Sequence, residues 1–171
     1  ALACVREFEE MACVVVKHAN PCGVAIGNDL LNVYERAFDA DSLSAFGGII
    51  AFNRACTKKV ASAISKVFVE IVLAPSFEPE ALEIFKKKKN LRVLEIGEFG
   101  KREKKIEVRN VDGGILVQDT DTKILTKDDL STVTKREPSE KEIETALFTW
   151  KVLRHTKSNG ILIAKDGTTV G

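Results

Sequence analysis

Short apolar runs separated by helical patterns are what most restrict the fold of this chain. One covers 12–17 and is built on Val14-Val15-Val16. Others are Gly47-Gly48-Ile49-Ile50-Ala51-Phe52, Phe68–Ala74 and Leu91–Ile96. Each is strand-length and most are rich in β-branched or aromatic residues, so each predicts a strand. Between the first two, residues 29–38 carry apolar side chains at 30, 31, 33, 34, 37 and 38. That is the stripe of an amphipathic helix, with Asn28 or Asp29 as its N-cap. Further helices are expected over 2–11, around 57–66, and from Ser76-Phe77-Glu78-Pro79-Glu80 onward. The last has Pro and acids in its first turn and ends in Lys86–Lys89, the charge order a helix dipole favours. Asn20-Pro21-Cys22-Gly23 reads as a loop, because proline lacks an N–H and biases its predecessor to extended geometry; Val24–Gly27 then resumes as strand. Strands alternating with helices predict a layered α/β domain.

Residues 97–137 are charged and turn-rich, with a strand signal at Gly114–Val117 and a helix start at Thr126-Lys127-Asp128-Asp129. Ser139-Glu140-Lys141-Glu142 is a capping box opening a helix through Trp150 to about Arg154. A strand is expected at Gly160–Ala164. Val16-Lys17-His18 and Leu153-Arg154-His155 stand at comparable junctions, each followed by Asn and then Gly before an apolar run. This echo predicts a first α/β unit over 1–125, and a connector with the start of a second unit over 126–171. The opening Ala1-Leu2-Ala3-Cys4, without Met, and the close on Gly167–Gly171 read as a piece of a longer chain.

A net charge of +1 over 171 residues provides no general attraction to nucleic acid or to an anionic membrane. The basic runs at 86–89 and 101–105 hold no aromatic residue and read as solvated faces. No run approaches the ~20 apolar residues of a membrane span. The four cysteines, at 4, 13, 22 and 56, show no C-x-x-C spacing and read as reduced thiols in a cytoplasmic protein.

Five places could carry chemistry. Lys17 and His18 sit where a buried run gives way to Asn-Pro-Cys-Gly. An imidazole there can accept a proton from an amine nucleophile, and an ammonium beside it can stabilise developing negative charge. A solvated strand end with a histidine bonded to a loop carbonyl explains the same residues. Cys22, between Pro and Gly, fits a small buried side chain better than a nucleophile. Asp39–Gly48 leaves a helix through two glycines, which permit close approach of a ligand or a simple turn. Glu70 interrupts an apolar strand and needs a partner, a ligand hydroxyl or an edge position. Thr156-Lys157-Ser158-Asn159 offers hydroxyl and amide groups to a polar ligand, or forms an ordinary polar turn.

Four segments together resemble one family. V-V-K-H-A-N-P-C-G-V-A (15–25), A-F-D-A-D-S-L-S-A-F-G-G-I-I-A (37–51), V-L-A-P-S-F-E-P-E-A-L (72–82) and K-S-N-G-I-L-I-A-K-D-G (157–167) are similar, in order and spacing, to the formyltransferase part of the AICAR formyltransferase/IMP cyclohydrolase family. The resemblance implies cytidine-deaminase-like α/β units without zinc, and transfer of a formyl group from 10-formyltetrahydrofolate to the 5-amino group of AICAR. It implies catalytic roles for Lys17, His18 and Asn159, and substrate contacts at Asn20, Gly47 and Glu70. It also implies a potassium ion near Thr156 and Ser158, and a homodimer with active sites at the interface. A cyclohydrolase domain is expected elsewhere in the full-length protein. Asp41-Ser42 departs from the Asp-Pro common in the family, and Glu70 stands where aspartate also occurs.

Two other readings use the same residues. Zinc nucleobase deaminases need H-x-E with P-C-x-x-C, but Asn20 replaces the glutamate and Ala25 the second cysteine. Alternatively, this piece is a structural or dimerisation half of the enzyme.

Overall fold

The computed structural model describes residues 1–100 and 104–171, so the basic run at 101–105 lies partly outside the described residues. The strands are β1 (Met11–Lys17), β2 (Asn20–Gly27), β3 (Gly48–Phe52), β4 (Val69–Ala74), β5 (Arg92–Glu95), β6 (Ile106–Val111), β7 (Gly114–Asp119), β8 (Ala164–Lys165) and β9 (Thr168–Thr169). The helices are α1 (Leu2–Val5), α2 (Leu30–Asp39), α3 (Ser42–Ala45), α4 (Lys58–Ile64), α5 (Pro79–Phe85) and α6 (Glu140–Leu153). Two compact units result, one of residues 1–99 with 132–171 and one of residues 100–131.

In the larger unit seven strands form one mixed sheet, in the order β5-β4-β3-β1-β2-β9-β8. Strands β3, β4 and β5 are parallel, and β1 runs antiparallel to both of its neighbours, β2 and β3. Side chains alternate across a strand, and β1 divides its own between two cores. Cys13 and Val15 join Ile50, Phe52, Val33 and Tyr34 of α2, Val60 of α4 and Phe85 of α5. Ala12, Val14 and Val16 face the opposite way, onto Val5 of α1 and Phe148 and Val152 of α6. Helices on both faces of a central sheet make the three-layer α/β fold expected from the sequence.

The α2 boundary follows its cap: Asp29 accepts a hydrogen bond from the Asn32 N–H at 2.8 Å. Ser139 and Glu142 form the capping box that starts α6. The N-terminal helix is shorter than expected, ending at Val5. The reason is the buried Asn53, which bonds the backbone that follows the helix. Its amide donates to the carbonyls of Phe8 (2.9 Å) and Glu10 (2.6 Å), and its oxygen accepts from the Ala12 N–H (2.8 Å). Backbone groups satisfied this way have no need of a helical ladder. Likewise α5 stops at Phe85, and Lys86 caps its C-terminus, so the other lysines follow the helix.

Asn20-Pro21-Cys22-Gly23, expected as a loop, is the first half of β2. Lys17 pairs with Asn20, and the ladder shifts between Val15, opposite Gly23, and Val16, opposite Pro21. Cys22 is therefore the extra residue of a bulge, the setting in which a strand tolerates proline. A Cβ built on Gly23 would lie 1.8 Å from the Ala37 carbonyl oxygen. Only a glycine lets α2 come that close to the sheet.

The expected strand at Gly160–Ala164 is confined to Ala164–Lys165, paired with Thr168–Thr169, while Ile163 exchanges backbone bonds with Val170 and Gly171. This hairpin extends the edge of β2 through one residue pair, Ala25 with Thr168. The Thr169 hydroxyl supplements it, accepting from the Val24 N–H at 2.9 Å. Arg36 of α2 donates to Ile26 O (3.1 Å), to Asp166 O (2.5 Å) and to the Thr168 hydroxyl.

In the smaller unit, β6 and β7 form an antiparallel ribbon turning at Asp112-Gly113. The signal at Gly114–Val117 is β7; β6 carried no clear apolar run. Thr126 and Asp129 form a capping box that opens a single 3-10 turn, Lys127–Asp129. None of its residues is buried, so no packed face prolongs it. Among the described residues, no helix is long and apolar enough to cross a membrane.

Gly23→Ala is expected to destabilise the protein by about 1–3 kcal/mol, the usual cost of overpacking a close approach. Urea unfolding should show a lower midpoint with an unchanged slope.

Candidate functional site

Lys17, His18, Ala19 and Asn20 form a two-residue hairpin turn between β1 and β2. Both central residues take left-handed backbone, His18 at φ +48° and Ala19 at φ +72°. Tight hairpins require this geometry, and Asn or Gly normally supplies it. For a residue with a Cβ it costs about 1–2 kcal/mol. Exposed His18 therefore projects from a strained corner, anchored on both sides by sheet.

Lys17 leaves β1 on the other side of the corner. Its ammonium donates to the Gly47 carbonyl at 2.9 Å, across 30 residues of sequence. Gly47 itself has φ +66°, and its N–H donates to the Phe68 carbonyl at 2.9 Å. A Cβ at this position would sit 3.1 Å from both the Lys17 Nζ and the Phe68 ring. The glycine thus keeps open the space between ammonium and ring.

Asn20 reaches the opposite way. Its side-chain oxygen accepts from the Lys157 N–H at 3.0 Å, which ties the hairpin to the segment after α6. Asn159 follows two residues later. The Thr156 hydroxyl in this segment is buried and finds no hydrogen-bond partner among the described residues.

Glu70 is the extra residue of a second bulge. Gly48 pairs with Val69 and Ile49 with Ile71, so the ladder passes Glu70 by. β4 lies between β3 and β5, which rules out the edge-strand explanation. The bulge instead turns this acid out to solvent, beside the strand that begins one residue after Gly47.

Two features escaped the sequence. Leu43 and Phe46 are strongly exposed, 89% and 63%, at the short helix that precedes Gly47. The Phe46 ring stands 5.3 Å from that of Phe68. Two apolar residues three apart beside a glycine pair were a readable signal; their pairing with Phe68, 22 positions on, was not. Asp41 caps this helix by accepting from the Ser44 N–H at 2.9 Å, and the Ser44 hydrogen bonds hold its carboxyl below the ordinary range. Ser42 occupies the first helical position, where proline is also accommodated, so the departure at Asp41-Ser42 preserves the helix.

Arg154 and His155 do not repeat the setting of Lys17 and His18. They close α6 and pair with the buried carboxylate of Glu7 at 3.3 and 2.8 Å. Among the described residues, no three His, Cys, Asp or Glu side chains gather into a metal cluster.

The whole chain, residues 1–171, matches the AICARFT/IMPCHase bienzyme family. The chain belongs to that family. Family membership makes it an enzyme chain of purine biosynthesis.

Burial pushes the Cys22 thiol up to about 11, with the Asp41 charge adding to the effect. It is protonated at neutral pH and unsuited to nucleophilic attack. Iodoacetamide labelling of Cys22, followed by peptide mass spectrometry, should be slow at pH 8 and accelerate as the pH approaches 11. Ala19→Gly should stabilise the fold by about 1 kcal/mol, because it removes a left-handed Cβ; thermal unfolding measures the gain.

Proposed function

We propose that this chain carries formyl transfer from 10-formyltetrahydrofolate to the 5-amino group of AICAR, the formyltransferase half of the family's chemistry. The observation that carries the proposal is the corner itself, which holds a histidine in left-handed backbone beside a lysine fixed to Gly47. Strain of this kind persists where a side chain must be aimed.

The amine nitrogen attacks the formyl carbon, forming the new C–N bond and a tetrahedral intermediate. His18, exposed at the tip, takes the proton that the amine sheds. The Lys17 ammonium stabilises the negative charge developing on the formyl oxygen. Collapse breaks the bond to the folate nitrogen, which leaves with a proton returned by the protonated site. Asn159, on the segment hydrogen-bonded to Asn20, orients the carboxamide of the acceptor. Gly47 admits the nucleotide close to backbone, and Glu70 accepts hydrogen bonds from its ribose hydroxyls. The exposed rings of Phe46 and Phe68, with Leu43, suit the flat apolar body of a folate.

A potassium ion near Thr156 and Ser158 belongs to the same proposal. The partnerless Thr156 hydroxyl oxygen is the type of ligand a hard cation takes, and a cation held there would fix the segment carrying Asn159. A cytoplasmic homodimer that shares its sites across the interface completes the reading.

His18→Ala in the full-length protein should lower kcat for formyl transfer by about 10²–10⁴-fold, the usual weight of a general base. Its circular dichroism and melting temperature should stay near those of the parent. Turnover within a factor of two of the parent would remove His18 from the mechanism.

A further inference from the structure

Glu7 is a buried acid that takes no part in the proton or formyl transfers. Its side chain is 4% exposed and meets two consecutive residues at the end of α6. Oε2 accepts from the Arg154 guanidinium at 3.3 Å, and Oε1 faces His155 Nε2 at 2.8 Å. Taking a carboxylate out of water is costly, and a buried ion pair returns little net stability compared with apolar side chains of the same volume. What such a pair does supply is direction. Two oxygens engaged by neighbouring residues fix both the position and the rotation of the helix end.

Glu7 is itself held on both sides. Its N–H donates to the Cys4 carbonyl at 3.0 Å, and the next carbonyl, that of Phe8, is taken by Asn53 directly after β3. Beyond its two partners the chain has little slack. The Thr156 N–H donates to the Leu153 carbonyl at 2.9 Å, and the Lys157 N–H to the Asn20 side chain at 3.0 Å. A Cβ on Gly160 would lie 2.9 Å from Thr156 Cγ2, so the chain turns back against Thr156 just after Asn159. Glu7 precedes β1 and Asn20 opens β2, so the strand that ends in Lys17 and His18 lies between the two anchors of the Asn159 segment. We infer that Glu7 is a positioning residue for Asn159. Acting through Arg154 and His155, it sets where the Thr156–Asn159 segment meets the hairpin corner, a role that rests on the formyl-transfer reading for the acceptor Asn159 orients.

The test uses the full-length enzyme carrying Glu7→Gln, Glu7→Asp or Asn159→Ala, and each Glu7 change combined with Asn159→Ala. Glu7→Gln removes the charge at constant shape; Glu7→Asp keeps the charge and withdraws it by one methylene. Steady-state kinetics give kcat and both KM values, and the melting temperature reports stability. Hydrogen–deuterium exchange compares residues 154–159 with residues 12–16 of β1. Glu7→Gln should lower kcat about tenfold to a hundredfold, the weight of a misplacement of about 1 Å, with KM for the formyl donor within about twofold of the parent. Glu7→Asp should lose less, about three- to tenfold, and keep the parent's melting temperature. Exchange should rise over 154–159 in both variants and stay unchanged over 12–16. In the Asn159→Ala background either Glu7 change should lower kcat by less than about twofold more, because the group it positions is already missing. A full, multiplicative loss in that background would overturn the inference. So would kcat unchanged in both variants, or exchange raised equally over 154–159 and 12–16. Should Glu7→Gln fail to fold, Glu7→Asp decides on its own by the same criteria. If the parent transfers no formyl group, the formyl-transfer reading fails; exchange raised only over 154–159 would still establish Glu7 as the anchor of that segment, and any other pattern would remove it.

Discussion

Burial of β1 on both faces is the constraint from which the other elements take their places. Ala12 to Val15 are wholly inaccessible, and alternate side chains commit the strand to a core on either side. A strand of this type cannot stand at an edge, so β2 and β3 must flank it, and helices must cover both faces. Lys17 is the residue at which that burial ends. The change from buried valines to a lysine and an exposed histidine marks the point where the strand emerges from the core, and the tight turn there is held by hydrogen-bonded strands on each side. Rigidity at the corner is thus inherited from the core.

Much of this was legible in the sequence. The alternation of apolar runs with amphipathic stripes announced the layers, and the caps at Asp29 and Ser139 placed two helix starts within a residue. Two kinds of feature were not legible. The Asn53 side chain, 41 residues from Ala12 in sequence, ends the N-terminal helix through hydrogen bonds no local pattern records. Asn20-Pro21-Cys22-Gly23 carries the residues of a loop because a bulge and a close helix approach need the same residue types. Proline and glycine report that the backbone is unusual; which irregularity they serve depends on α2.

The candidate site divides in the same way. Lys17, His18 and Gly47 stand out as residue types at the ends of apolar runs, and the structure joins the first and last directly. Glu70 looked like a charge misplaced in a strand, and a bulge accounts for it. The Phe46–Phe68 ring pair and the Asn20–Lys157 bond depend on chain segments meeting across the sheet, so neither had a sequence signature of its own.

The attachment of the C-terminal hairpin has a consequence for how the protein is made. β2 gains its outer neighbour through Gly167, Thr168 and Thr169, the last 145 positions downstream of Val24, and Arg36 waits for the same segment. As the chain leaves the ribosome, the first five strands can assemble while the β2 edge keeps its backbone groups open, a template for pairing with other chains. Synthesis must pass Thr169 before that edge is closed, so the edge stays open to mispairing after most of this core can form.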